Sequence, residues 1–370
     1  MRSATSAADV VPFCNKRFVR ARAKDVACAL LALVPERHRY RVRSSIEKLA
    51  FNLNPPVGDL PAIFHYWSNT HLRPRLEDVG FSSPEDFFFK SLRDRIGNQA
   101  ASTRVLSIGS GRCELEISLA RQLVDSGHDQ FSIVCMDINS EMLSQGKAGA
   151  TAADIASRMA FRAADAKTLS CNERFDVVLA NQCLHHIVEL ETLFDTIASL
   201  ISDGGFFLTS DVIGRNGHRL WPEALSPFQQ YWQHLPSEYK FDNARGFATS
   251  SYVNYDHAKV GFEGIRAQDI LQLMIDRFEF EVFLAHTSIT MPFVERRFGY
   301  NFDPDRAFDR SFIDEVARRD RALVDSGRLT PTQMIARVST MPSHATITLN
   351  GRMPRQCVRG PALENAFGAA

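Results

Sequence analysis

The sequence has no excess of charge. Its 370 residues carry 43 Lys and Arg against 43 Asp and Glu, so no global field draws the chain to nucleic acid or to an anionic membrane. Cysteine is scarce. The seven stand at positions 14, 28, 113, 135, 171, 183 and 357, none in a C-x-x-C pair and none at zinc-finger spacing from a histidine. That excludes a disulfide scaffold and a structural zinc module. The expectation is a reduced, cytoplasmic protein without metal, whose cysteines serve as small apolar residues. Long apolar runs are missing too. "VACALLALV" at 26–34 is too short to cross a bilayer. Asp25 precedes it and no small-residue cleavage site follows, so it reads as a buried helix rather than a signal peptide. Internal repeats and low-complexity tracts are also absent.

What charge there is lies unevenly. Residues 1–50 hold eleven Lys or Arg and four acids. Without an aromatic-rich RNA signature beside it, this patch reads as a solvated helix face, and a nucleic-acid partner is not expected. Four zones follow from the patterning. Residues 1–100 show apolar residues at helical spacing and no strands, as a helical N-terminal lid would. Ser83, Pro84 and Glu85 mark one helix start there. Residues 101–212 alternate strand and helix, with strands at 104–108, 131–138, 159–165, 175–181 and 204–212. These strands are nearly continuous apolar runs, as in a parallel sheet buried on both faces, which implies a doubly wound α/β fold. Residues 213–277 read as a cap over the substrate, aromatic and polar to about 260, with a helix over 266–278. Residues 278–370 supply two late strands, 278–290 and 344–352, with a helical pattern over 309–340 between them.

The first strand runs into "VLSIGSGRCELE". Gly109 and Gly111 let backbone approach a ligand without a Cβ in the way, and the helix that follows offers unpaired N–H groups. A dinucleotide site would place a third glycine where Glu114 stands. A carboxylate there repels a pyrophosphate but suits a cationic ligand without phosphate. The second strand, "VCMDINSEML", ends in Asp137, placed to accept both hydroxyls of a ribose. Asp165 follows the third strand in "RAADA". The fourth ends in "NQCLHHI", polar residues in the crevice outside the carboxyl edge, where such sheets bind ligands.

These four segments, with "LISDGGFFLTSDV", resemble in order the class I S-adenosylmethionine-dependent methyltransferases. The resemblance covers about 110 residues. It implies a Rossmann-like sheet of seven strands in the order 3-2-1-4-5-7-6, the last antiparallel and inserted beside the fifth, and S-adenosyl-L-methionine as cofactor. It also implies site residues. Gly109, Ser110 and Gly111 would line the methionine part, and Asp137 the ribose. Ile138 and Met142 would pack on adenine, whose edge Asp165 and Ala166 would meet. Asn181 and Gln182 would lie near the sulfonium and amino group.

A dedicated base is needed only where the acceptor must lose a proton. His185 and His186 are the candidates, His185 first because it lies nearer the strand end, and the family often carries a histidine there. Asp211 could orient that base or hold an amine. Tyr66 joins the catalytic candidates from the lid, and His218, Trp221, Tyr252, Tyr255, Glu263 and Arg266 offer a pocket from the cap. Arg266 could clamp a carboxylate. The expected activity is methylation of a small molecule, such as a secondary metabolite. Another reaction of the same cofactor (cyclisation or other alkyl transfer) and non-catalytic binding are the alternatives. Neither the acceptor atom nor the oligomeric state is legible.

Overall fold

The computed structural model describes residues 59–99, 101–165, 173–259, 263–342 and 345–359. The basic N-terminal helices expected before residue 59, and Ala166, lie outside the described residues. The first helices are α1 (Ala62–Trp67), which runs through a π-turn at Ser68–Leu72 into α2 (Arg73–Glu77). Next comes α3 (Pro84–Gly97), where the Ser83 hydroxyl accepts from the Asp86 N–H at 3.0 Å, the expected cap.

The alternating zone then gives β1 (Thr103–Ile108), α4 (Glu114–Asp125), β2 (Phe131–Asp137), α5 (Ser140–Ala152), β3 (Met159–Ala163), β4 (Phe175–Asn181), α6 (Leu190–Leu200) and β5 (Ile201–Val212). All five strands pair in parallel. Each of the central three is buried on both faces, and the pleat divides its residues between two cores. Val105, Val177 and Phe206 pack with α3 and α4. Leu106, Val178 and Phe207 pack with α6 and α8 (Ala267–Ile275).

After β5 come α7 (Pro222–His234), a two-strand ribbon of β6 (Phe241–Asp242) and β7 (Phe247–Ala248), and then α8. The chain returns to the sheet as β8 (Glu279–His286). Past α9 (Met291–Val294) and α10 (Ala307–Asp325) it adds β9 (Gln333–Ser339) and β10 (Ile347–Thr348). The sheet order is β10-β8-β9-β5-β4-β1-β2-β3. β9 is antiparallel to both β5 and β8. The expected seven-strand order therefore holds, with β8 and β9 as sixth and seventh strands and β10 an added edge.

Two details of the late region differ from the sequence reading. The strand inserted beside β5 is Gln333–Ser339, inside the segment read as helical, while 344–352 contributes only a two-residue edge. The helix stops at Asp325, Gly327 takes a positive φ of 74°, and Pro331 bars its resumption. The run that follows holds Met334, Ile335, Ala336 and Val338, all buried, as a central strand requires.

An aromatic cluster holds the cap together. Phe228 stacks on Phe293 with centroids 4.6 Å apart and touches Tyr252 at 4.3 Å, and Trp232 meets Phe298 at 4.9 Å. On the opposite flank Trp67 lies 6.5 Å from the ring of His286, which ends β8 at the carboxyl edge. Among the described residues no helix is long and apolar enough to cross a membrane. Trp232, 1% exposed, joins α7 to the segment after α9. Trp232→Ala should lower the unfolding free energy by about 3–5 kcal/mol, read from the shift of the urea midpoint.

Candidate active site

Two groups of residues meet at the carboxyl edge. The first is the turn after β1. Gly109 and Gly111 take positive φ values of 66° and 53°. A Cβ on Gly109 would stand 2.7 Å from the Cβ of Cys183, so conformation and space both demand glycine there. The turn's N–H groups serve the chain itself. Ser110 N–H donates to Met136 O at 3.1 Å, and Gly111 N–H to Asp137 Oδ2 at 2.9 Å. Asp137 Oδ1 accepts from Asn139 N–H at 2.7 Å. A carboxylate has about four acceptor sites, so each Asp137 oxygen keeps one for a ligand hydroxyl. Met142 reaches over the turn, its Cε 3.1 Å from where a Cβ of Gly111 would stand.

The carboxyl turned inward beside this turn is Glu116, 3% exposed. It accepts from the Ser107 hydroxyl at 2.5 Å. Glu114, to which the sequence argument gave that place, is exposed on the first residue of α4. Burial, opposed by the Ser107 hydrogen bond and reinforced by Asp137, raises the Glu116 pKa to about 7. The turn is thus backed by acid and has two N–H groups already engaged. It fits a ligand with a ribose diol and cationic groups better than a pyrophosphate.

The second group lies past β4 and β5. Asp211, fully buried, accepts four hydrogen bonds. Its Oδ2 takes Cys183 N–H at 2.9 Å and Leu184 N–H at 2.8 Å. Its Oδ1 takes Val212 N–H at 2.7 Å and His185 Nδ1 at 2.6 Å. Burial works against the charge on both partners. The pairing outweighs it, lowering the Asp211 pKa and raising that of His185. With Nδ1 engaged, His185 turns Nε2 towards Glu263 Oε2, 3.7 Å away. His218 Nε2 lies 3.4 Å from the same oxygen, and the His186 ring centroid lies 4.0 Å from that of His185. Burial disfavours the Glu263 anion, but His185 and His218 hold its pKa well below the usual range.

Three loops make this cluster. Gly217 N–H donates to Gly264 O at 2.8 Å, and Ile265 N–H to His185 O at 2.9 Å. A Cβ on Gly264 would meet the N atoms of Gly217 and His218 at 3.0 Å, so the approach of the His218 and Glu263 loops depends on the bare backbone.

The comparisons fit this geometry. Residues 99–276 match a family described as a methyltransferase domain. They form an S-adenosylmethionine-dependent methyltransferase domain. A search of curated proteins gives no match. Among solved structures, the chain is similar to a geranyl diphosphate C-methyltransferase from Streptomyces coelicolor A3(2), at 12% identity over 70% of this chain and 79% of that one, TM-score 0.39. It is also similar to a SAM-dependent methyltransferase from Thiobacillus denitrificans, at 14% identity over 77% of this chain and all of that one (100%), TM-score 0.39. Both were solved with S-adenosyl-L-homocysteine.

In this methyltransferase domain, Gly109, Ser110 and Gly111 follow β1, Asp137 ends β2 with Ile138 next to it in sequence, and Met142 reaches the turn from the first turn of α5. Asp165 follows β3, and Asn181 is the last residue of β4. Gln182 has a positive φ of 51°, and its side-chain nitrogen lies 3.2 Å from Ser210 O, so it turns to β5. Tyr66 is not brought into the cluster; its hydroxyl donates to Asp314 on α10 at 3.0 Å. Tyr252 belongs to the aromatic core of the cap. Arg266 clamps the chain's own Glu191 at 2.6 and 2.7 Å, together with Asp269. Glu116 was missed because its pairing with Ser107 crosses from helix to strand.

Two outcomes test the cofactor half. Gly109→Ala should abolish S-adenosylhomocysteine binding and destabilise the fold by about 1–3 kcal/mol, since it adds both strain and overlap with Cys183. Calorimetric titration and a urea melt read the two effects. Glu116 folds best with its proton on. Its stabilising contribution is whole below the ordinary value of 4.5, falls as pH rises, and is lost by about pH 7. Glu116→Gln removes that loss. The variant should gain roughly 3 kcal/mol on the wild type between pH 4.5 and 8 in ligand-free melts, and parallel pH profiles would refute the assignment.

Proposed function

We propose that this methyltransferase acts on a small molecule whose reacting group can ionise (a phenolic, enolic or carboxyl oxygen, or an acidic carbon), and that the acceptor docks at the cluster of His185, His186, His218 and Glu263. The observation that carries this reading is the His185–Asp211 pair. It is an imidazole buried at the carboxyl edge, backed by a carboxylate and turning Nε2 towards Glu263.

S-adenosylmethionine, when bound, supplies a methyl group on a sulfonium, and S-adenosylhomocysteine is left when that group departs. Gly109, Ser110 and Gly111 position the methionine part, Asp137 the ribose, and Ile138, Met142 and Asp165 the adenine. Ala166 belongs with them by its place in the motif. Asn181 ends the strand between the two halves. The chain's remaining task is to align the acceptor and manage its proton. Asp211 fixes the tautomer and direction of His185. The acceptor's proton passes to solvent, and His185 Nε2 hydrogen-bonds the resulting anion and stabilises it for attack on the methyl group. The folded cap between 213 and 277 and the helices before β1 suit a lid over a small molecule rather than an open groove for a polymer.

Methyl-labelled S-adenosylmethionine offered with panels of phenols, 1,3-dicarbonyl compounds, carboxylic acids and amines tests this. Label should enter one of the first three classes. His185→Ala should then cut turnover by about 10²–10⁴-fold, while S-adenosylhomocysteine affinity stays within about threefold. Turnover indifferent to His185, or label found only in RNA or protein, would overturn the reading.

A further inference from the structure

The cluster has a second property that methyl transfer alone does not require. His185, His186 and Glu263 each offer a ligand atom, and these atoms all lie within 4.8 Å of one another. The His185 Nε2 to Glu263 Oε2 separation is 3.7 Å. That is long for a hydrogen bond. It is near the roughly 3.4 Å edge between two ligands of one tetrahedral ion with bonds of about 2.0–2.1 Å. We propose that His185, His186 and Glu263 form a binding site for a divalent first-row transition-metal ion of the manganese-to-zinc series. The inference rests on reading this cluster as the acceptor side of the methyltransferase.

Three features beyond the ligand count support it. Metal-bound histidines characteristically donate their other ring N–H to a carboxylate, which fixes ring and tautomer. Asp211 does this for His185 Nδ1 at 2.6 Å, and three backbone N–H groups hold Asp211 in turn. The Glu263 carboxylate is likewise steadied by His218, 3.4 Å away. Finally, the three ligands come from two loops that close on each other through the Ile265 N–H to His185 O bond. With His185 fixed by Asp211, a bound ion would draw the His186 and Glu263 donors in from their present spread of up to 4.8 Å.

The donor chemistry selects the metal. Two imidazoles and one carboxylate suit zinc, iron, cobalt, nickel or manganese, whereas magnesium and calcium prefer oxygen ligands. Three protein ligands also leave coordination positions open. An acceptor oxygen that fills one would lose its proton to solvent more readily. The ion would thus do by charge what His185 does by hydrogen bonding, with Nε2 as its ligand.

Calorimetry on the metal-stripped full chain tests this, with zinc and magnesium as separate titrants. Zinc should bind at one equivalent per chain, at least tenfold tighter than magnesium, and raise the melting temperature. His186→Ala and Glu263→Ala should each weaken it tenfold or more, and cobalt should give visible d–d bands that both variants lose. S-adenosylhomocysteine binding should be unchanged in both, which shows that they fold. Zinc affinity unaltered in the two variants, or no zinc binding in a chain that still binds S-adenosylhomocysteine, overturns the metal site. In either case the acceptor reading stands if His185→Ala still cuts label transfer by about 10²–10⁴-fold. Tight, variant-sensitive zinc binding together with label transfer indifferent to His185 supports the metal site and removes the acceptor reading.

Discussion

The carboxylate of Asp211 is the constraint on which the acceptor half rests. It is fully buried, and an ion in such a place persists only when every lone pair is answered. Here the answering groups are the N–H of Cys183, Leu184 and Val212 and the ring of His185. Two of those N–H groups belong to the turn after β4 and one to the end of β5. The same charge therefore pins the end of one central strand to the loop after its neighbour and aims the imidazole. Cys183, held by this bond, is also the residue against which Gly109 packs at Cβ distance. The cofactor turn and the acceptor loop are thus fitted to each other through one residue.

The cofactor half depends on a different balance. Its turn uses the N–H groups of Ser110 and Gly111 on Met136 and Asp137, so little of the usual anion cradle is left. Glu116 adds a buried carboxyl behind it, tied to Ser107. A phosphate would meet the Asp137 carboxylate and few donors. A ligand that brings positive charge and a ribose meets acceptors instead.

The parallel half of the sheet was legible because its signals are local. Continuous apolar runs mark β1, β2, β4 and β5, and glycines mark the turn. β9 was not, because Arg337 interrupts its apolar run. In the folded chain that guanidinium sits 3.9 Å from the centroid of the Phe206 ring and lies 2.7 Å from Glu281, so a charged residue is accommodated inside a central strand. Nothing local in "PTQMIARVST" announces those two partners. The preceding amphipathic helix made continuation the natural expectation. For the same reason Tyr66 looked available in sequence and is bound to Asp314 in the fold.

The site divides along the same line. The residues proposed to hold the cofactor stand at or just after strand ends, so their sequence spacing reports their geometry. Residues around the acceptor are brought together by loop contacts between distant segments. His185 could be named because it follows β4 directly. Glu263 acquires meaning only when Gly217 and Gly264 let their loops touch and Ile265 N–H reaches His185 O. A search for metal ligands at fixed local spacing passes over such a set, since two ligands are adjacent in sequence and the third arrives across the fold. An acceptor site assembled this way can change its chemistry through loop substitutions while β1, β2 and their turn keep the cofactor in place. The proposed cofactor and acceptor sides meet at the end of β4, between Asn181 and His185.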